Sequence, residues 1–423
     1  MKKLLSILLA GAMALSLAAC GGTPASTSQP ASGSTGASEP ASVAEATGGI
    51  AKEDIKVGVI HLSDPAEGSG YTYTHDQGII GMQQNLGLAD DQIVRKISVD
   101  DTDAAAVETA ITECVEEGCN IIFATSWGYM DTCEALAEEF PEVIFSHGTG
   151  YKSNGTNFNN YFGRIYQARY LTGVAAGLKS LETGNNHVGY VSAFGTQYAE
   201  TCSGINGFAL GVQSVNPDAT VYVKKLGKWN DEQNEYAFAE ELINSYDCGV
   251  IAQHCDSAQP QIAAEKAGVF GCGYNSDMTV DAPKAHLTAA VWNWDVYYKQ
   301  AIDTAMTCGG AENFVTAMGG PAYYEGLVKG LVGVSELSDN CAPDTQAYLD
   351  AIIELLATGE WDVFSGVKLS YTKNDDGSVT ITQTDSALKT NDGKEIVPAG
   401  GKSVEDAVIT GTMNYFVEGV QVG

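Results

Sequence analysis

Residues 56–78 read KVGVIHLSDPAEGSGYTYTHDQG. The first seven, Lys56 to Leu62, are mostly apolar and β-branched, which predicts a buried strand, and the spacing from Thr74 to Leu86 predicts a helix after a polar, glycine-bearing turn. A strand, a loop and a helix in that order open a βα unit. Moving outward, Ile93 to Val99, Asn120 to Ala124 and Val143 to Ser146 read as further strands. Asp103 to Glu117 and Gly128 to Phe140 read as the helices between them. Alternation of this kind builds a parallel, doubly wound sheet.

After a longer predicted helix, Gly163 to Lys179, the rhythm restarts. His187 to Ser192, Ala219 to Lys225, Cys248 to Ala252, Val269 to Cys272 and His286 to Val291 read as strands, separated by helices over 197–214, 232–245 and 259–267. The expected class is therefore α/β with two doubly wound parallel-sheet lobes around a ligand cleft, an N-terminal lobe over 51–183 and a C-terminal lobe over 184–291. Residues 292–423 begin with a helix (295–308). They include another (344–358) and hairpins around Asn374 to Gly377, and they are expected to cross back between the lobes.

The chain has 423 residues, with 22 Lys plus Arg against 53 Asp plus Glu, a formal charge of −31. Cations this sparse exclude a nucleic-acid partner, which would demand a basic face. Residues 1–19 carry Lys2 and Lys3, an apolar run from Leu4 to Leu17 and a small-residue end, the pattern of an export signal. Leu17-Ala18-Ala19-Cys20 resembles a bacterial lipobox, so lipidation of Cys20 would tether the protein to the extracytoplasmic face of the cell membrane. Residues 20–50, rich in Gly, Ser, Ala and Pro, read as a flexible linker. The nine other cysteines show no CxxC and no zinc spacing, and no metal site and no cofactor are expected.

Open α/β sheets place ligands beyond the carboxyl ends of their strands. The loops that follow the strands hold Tyr71 and Tyr73, then Ser126, Trp127 and Tyr129, then Phe194, Asp256, Asn275 and Asp277, and finally Trp292 and Trp294. Flat rings with a few acceptor groups suit a planar heteroaromatic ligand bearing N–H donors, of which a purine is one. Each ring taken alone is as easily rim or core packing. Signatures of a GxSxG elbow, HExxH, a Walker loop or an early GxGxxG are missing, and no catalytic residues are assigned.

Together with the lipobox and linker, the segments 56–78, IIFATSWGYMD (121–131), FPEVIFSHGTGY (140–151), GRIYQARYLTGVAAGLKS (163–180) and NGFALGVQSVNPDA (206–219) resemble the basic membrane protein family. That resemblance implies an ABC-importer substrate-binding lipoprotein with the type I periplasmic-binding fold, an ABC permease as partner and a purine base or nucleoside as ligand. It implies that Tyr71 stacks on the base. It also sets Asn275 where the nucleoside-binding branch has an Asp for ribose, and Trp292 where that branch has a Lys. Both departures favour a free base over a nucleoside, and the GYTYTHDQG and SWGYMD segments resemble an adenine-binding sub-branch, which implies an adenine-like base. A ligand-sensing subunit of a signalling system and a surface nucleoside hydrolase are the other functions weighed.

Overall fold

The computed structural model describes residues 48–423. The expected export signal, the expected lipidation site Cys20 and all but the last residues of the expected linker lie outside the described residues. The first sheet begins with β1 (Val57–Ile60), β2 (Ile93–Lys96), β3 (Ile121–Ala124), β4 (Ile144–Gly148) and β5 (Phe158–Gly163), with α1 (Gly70–Leu86), α2 (Ala104–Glu116) and α3 (Met130–Glu139) between them. After α4 (Ile165–Thr183) come β6 (His187–Ser192), α5 (Ala199–Val215), β7 (Thr220–Lys225), α6 (Glu232–Tyr246), β8 (Val250–His254), α7 (Gln259–Ala267), β9 (Phe270–Asn275) and β10 (His286–Trp292).

The strand orders are β2-β1-β3-β4-β5 and β7-β6-β8-β9-β10, two copies of one doubly wound topology with every neighbouring pair parallel. Every residue of β1, β3, β4 and β8 is buried. Helices cover both faces of each sheet, so these strands read as unbroken apolar runs rather than as alternation. This is the two-lobed α/β class expected from the sequence pattern, in the type I periplasmic-binding architecture that the family resemblance implies.

Three expectations shift. Helix α1 starts at Gly70, so Tyr71 and Tyr73 sit in its first turn rather than in a loop. Strand β5 was not foreseen, because Asn159 and Asn160 stand where β-branched residues would signal a strand. Asn159 is buried nonetheless, and its amide donates to the Tyr297 hydroxyl at 3.0 Å. The N-terminal lobe does not extend to residue 183, because α4 packs in the second lobe. Its Tyr166, Tyr170, Leu171 and Val174 share a core with Ile205, Phe208 and Val212 of α5.

The chain crosses between lobes three times: between β5 and α4, between β10 and α8 (Trp294–Ala305), and beyond β11 (Ala322–Glu325), which follows the short α9 (Phe314–Ala317). Strand β11 extends the first sheet beside β5, and β12 (Val332–Val334) pairs antiparallel with β10 in the second. The remaining elements are α10 (Thr345–Thr358), the hairpin β13 (Val367–Lys373) and β14 (Val379–Asp385), the short pair β15 (Leu388–Lys389) and β16 (Glu395–Val397), α11 (Asp406–Gly411) and β17 (Val420–Val422). Strand β17 lies along β7 and covers that edge of the second sheet.

These C-terminal elements also grip the first crossing. Arg164 donates to Asp406 through Nε (3.1 Å) and Nη2 (2.6 Å), and the Tyr166 hydroxyl donates to Asp362 at 2.7 Å. Among the described residues no helix is long and apolar enough to cross a membrane.

Helices α4 and α5 meet backbone to backbone. A Cβ on Gly173 would run into the Phe208 carbonyl, and one on Gly211 into the Tyr170 carbonyl. Gly211→Ala should therefore cost about 1–3 kcal/mol through overpacking. Gly411→Ala at the end of α11, where a Cβ meets nothing within 4 Å, should be close to neutral. Urea unfolding of the two variants beside the parent protein checks this.

Candidate functional site

The carboxyl ends of the two sheets face one another, and the lobes touch where α1 begins. Gly70 has φ +82°, and a Cβ there would strike the Asp256 carbonyl of the opposite lobe. Both the left-handed backbone and the close approach call for glycine. Tyr71 follows it, its ring edge-on to His75 at 4.4 Å and its hydroxyl donating to the Thr125 carbonyl at 2.6 Å. Burial first, then the neighbouring groups Tyr161, Tyr274, Asp256 and Glu200, push the Tyr71 pKa well above the usual phenol value, so it stays a neutral donor.

Across the cleft, Asn275 ends β9 in the left-handed region at φ +69°, a conformation that Asn tolerates better than most residues. Its amide donates to Asp256 Oδ1 at 3.0 Å, while its own Oδ1 is buried without a partner. Burial raises the Asp256 pKa to about 7, working against the Asn275 hydrogen bond. The Tyr274 ring lies beneath the Arg169 guanidinium at 3.8 Å and edge-on to His254 at 4.8 Å. Arg169 is buried. It donates through Nη1 to the Gln253 carbonyl at 2.5 Å, and its Nε and Nη2 lack partners.

His254 Nε2 lies 2.8 Å from Glu200 Oε1, and burial lowers the imidazole pKa to about 4. The neutral ring therefore donates from Nε2 to Glu200. Phe194 is half-buried, 4.4 Å from the Tyr198 ring and 5.6 Å from Trp229, which in turn lies 5.8 Å from His254. Rings and hydrogen-bonding groups from both lobes thus converge on one closed cleft, the arrangement of a binding protein that encloses a small molecule.

Residues 55–365 match the family model for Bmp, described as ABC transporter substrate-binding protein PnrA-like. The chain belongs to the Bmp family. It is 32% identical over 374 residues to a purine-binding protein of Brucella abortus, covering 88% of this chain and 94% of that one. It is 30% identical over 314 residues to a putative ABC transporter glucose-binding protein of Haloferax volcanii, covering 74% and 75% of the two chains. A solute-binding protein of Conexibacter woesei shares the fold, with TM-score 0.60, 20% identity and coverage of 73% of this chain and 98% of that one. As a Bmp-family member it is a substrate-binding component of an ABC transporter and not an enzyme.

Within this Bmp-family cleft the structure brings Tyr71, Asp256 and Asn275 together, with Phe194 at the edge. It does not bring the rest. Trp294 is fully buried, with one face on Trp292 (4.3 Å, 9°) and the other on His75 (4.3 Å, 13°), so no face is left for a ligand. Trp292 packs against Phe162 on its remaining side at 4.7 Å and donates to the Tyr274 hydroxyl at 3.3 Å. Tyr129 is a core residue whose hydroxyl donates to the Val99 carbonyl, and the Ser126 hydroxyl is taken by Asp101 at 2.6 Å.

Trp127 is 54% exposed, resting on Tyr151. Asp277 is exposed and accepts from the backbone and hydroxyl of Thr279 in a turn. Tyr73 is half-buried on α1. Sequence reading missed Glu200 and Arg169. Glu200 opens α5, within the stretch read as a helix, and Arg169 is a cation within a mostly buried helix.

The raised Asp256 pKa has a measurable sign. The folded state holds this proton more tightly than the unfolded chain, so ionisation of Asp256 subtracts stability as pH rises from about 4, and the loss is complete above about 7. Asp256→Asn should thus raise the Tm relative to the parent at pH 8 and leave it unchanged near pH 4, as read by calorimetry at both pH values.

Proposed function

We propose that this chain captures one free purine base, adenine-like, between its lobes and delivers it to an ABC permease while tethered to the membrane by a lipid on Cys20. The observation that carries the ligand reading is the approach of Tyr71 from one lobe to the Asp256–Asn275 pair of the other. A ring supplies a stacking face, and a carboxylate beside a carboxamide oxygen without a partner supplies acceptors for ring and exocyclic N–H groups. The Brucella abortus relative, named as a purine-binding protein and matched over 94% of its length, supports the same reading.

The base is preferred over a nucleoside because the ribose contacts are weakened. Asn275 offers no full negative charge to sugar hydroxyls, and Trp292 is packed in an aromatic column where a cation would be needed. Closure shifts the open-to-closed population and presents a surface made of both lobes to the permease.

Calorimetric titration with adenine, hypoxanthine, adenosine, inosine and glucose tests the ligand. Adenine should bind with submicromolar affinity, on the order of 8–10 kcal/mol. Stabilisation by glucose alone would remove the purine reading, and tighter binding of nucleosides would remove the base preference. Tyr71→Ala should weaken adenine binding at least about tenfold with the fold retained, matching the loss of one aromatic stack and its buried area. For the anchor, Cys20→Ala should move the protein from the membrane fraction to the soluble fraction of a bacterial host, and unchanged membrane association would defeat it.

A further inference from the structure

Glu200 occupies the second position of α5, bonded to His254 at the carboxyl end of β8, and among the described residues no lysine or arginine pairs with it. Its side chain is 23% exposed, and its Oε1 is held at 2.8 Å by the fully buried His254. The other imidazole nitrogen is directed elsewhere. A Cβ on Gly204 would come within 2.7 Å of His254 Nδ1 and 3.5 Å of Arg169 Nε, so that edge faces α5 and the guanidinium. His254 is therefore wedged with its N–H aimed at one carboxylate oxygen, and Glu200 Oε2 is left as an acceptor.

The carboxylate sits centrally. Burial raises the pKa of Tyr71, Tyr274, Tyr324 and Asp256 in the first place, and the Glu200 charge adds to the rise in each. The geometry agrees: His254, which holds Glu200, lies edge-on to the Tyr274 ring at 4.8 Å, and Tyr274 is followed directly by Asn275, the partner of Asp256. Asp256, two residues after His254 and bonded to Asn275, is the second carboxylate on this side of the cleft. Two carboxylates enclosed together repel unless N–H donors lie between them.

We infer that Glu200 is the specificity-determining residue of the cleft, accepting through Oε2 an imidazole N–H of a free base while Asp256 accepts a second N–H from its other edge. The inference rests on the purine reading above and deepens it, because a purine alkylated or ribosylated on the imidazole ring lacks that proton. A carboxylate facing an N–H that is no longer there loses a charge-assisted hydrogen bond, and Oε2 is left beneath the ligand without a donor while His254 holds only Oε1.

The test titrates adenine and 9-methyladenine into the full chain and into Glu200→Gln, with circular dichroism and Tm as folding controls. The parent should bind adenine at least about 30-fold more tightly than 9-methyladenine. Glu200→Gln, which keeps an oxygen for His254, should lose about tenfold or more on adenine and most of that discrimination, with an unchanged Tm. If Glu200→Gln folds and binds adenine as the parent does, or if the parent does not discriminate, the inference is overturned while the purine reading stands. If the parent binds neither compound, the purine reading itself fails. Should Glu200→Gln not fold, Glu200→Asp keeps the charge but withdraws it by one methylene, and it must show the same loss for adenine; parental affinity in that variant overturns the assignment.

Discussion

A column of flat rings holds the two lobes in register. Phe162 from β5, Trp292 and Trp294 on either side of the second crossing and His75 from α1 lie one against the next, with the two indoles 4.3 Å apart and almost parallel. Tyr71 closes the column edge-on against His75. Each such contact is worth about 0.5–1.5 kcal/mol beyond the area it buries. The column also decides what remains for a ligand. Rings with both faces covered are structural, and the ring at its open end, Tyr71, is the one that can stack on something else.

Around this column the crossings pack without slack. A Cβ on Gly163 would press on Leu331, on the Trp292 ring and on the Glu325 carbonyl, so the three crossings meet at one residue. The C-terminal segment then fastens the first crossing through Arg164–Asp406 and Tyr166–Asp362. Asp406 lies beyond the part of the chain that matches the family model, which ends at residue 365. The C-terminal elements thus add strand β17 to the second sheet and a clamp to the hinge.

The electrostatics of the cleft follow from burial more than from net charge. The chain carries −31 overall, yet the groups that matter are few: Asp256 and Glu200 with Arg169 and His254 behind them. Burial keeps His254 neutral and Asp256 close to half-protonated at neutral pH. A neutral ligand gains little from long-range steering. On the proposed reading of a neutral ligand, the net charge takes little part in recognition, which falls to a handful of acceptors in the cleft.

The sequence by itself determined the two-lobed α/β fold, because strands covered on both faces must be apolar throughout and helices between them must be amphipathic, and both patterns are local. Strand ends also pointed to the side of each sheet on which Tyr71, Asp256 and Asn275 meet, though the same reasoning named Ser126, Trp127, Tyr129 and Asp277, which do not join them. Only the tertiary structure decided that Trp292 and Trp294 belong to the column and Tyr129 to a core, since whether a ring's faces are covered depends on partners far away in the chain. The same reason hid β5, whose asparagines are satisfied by Tyr297 more than a hundred residues later. It hid Glu200 as well, whose role rests on a histidine 54 residues downstream.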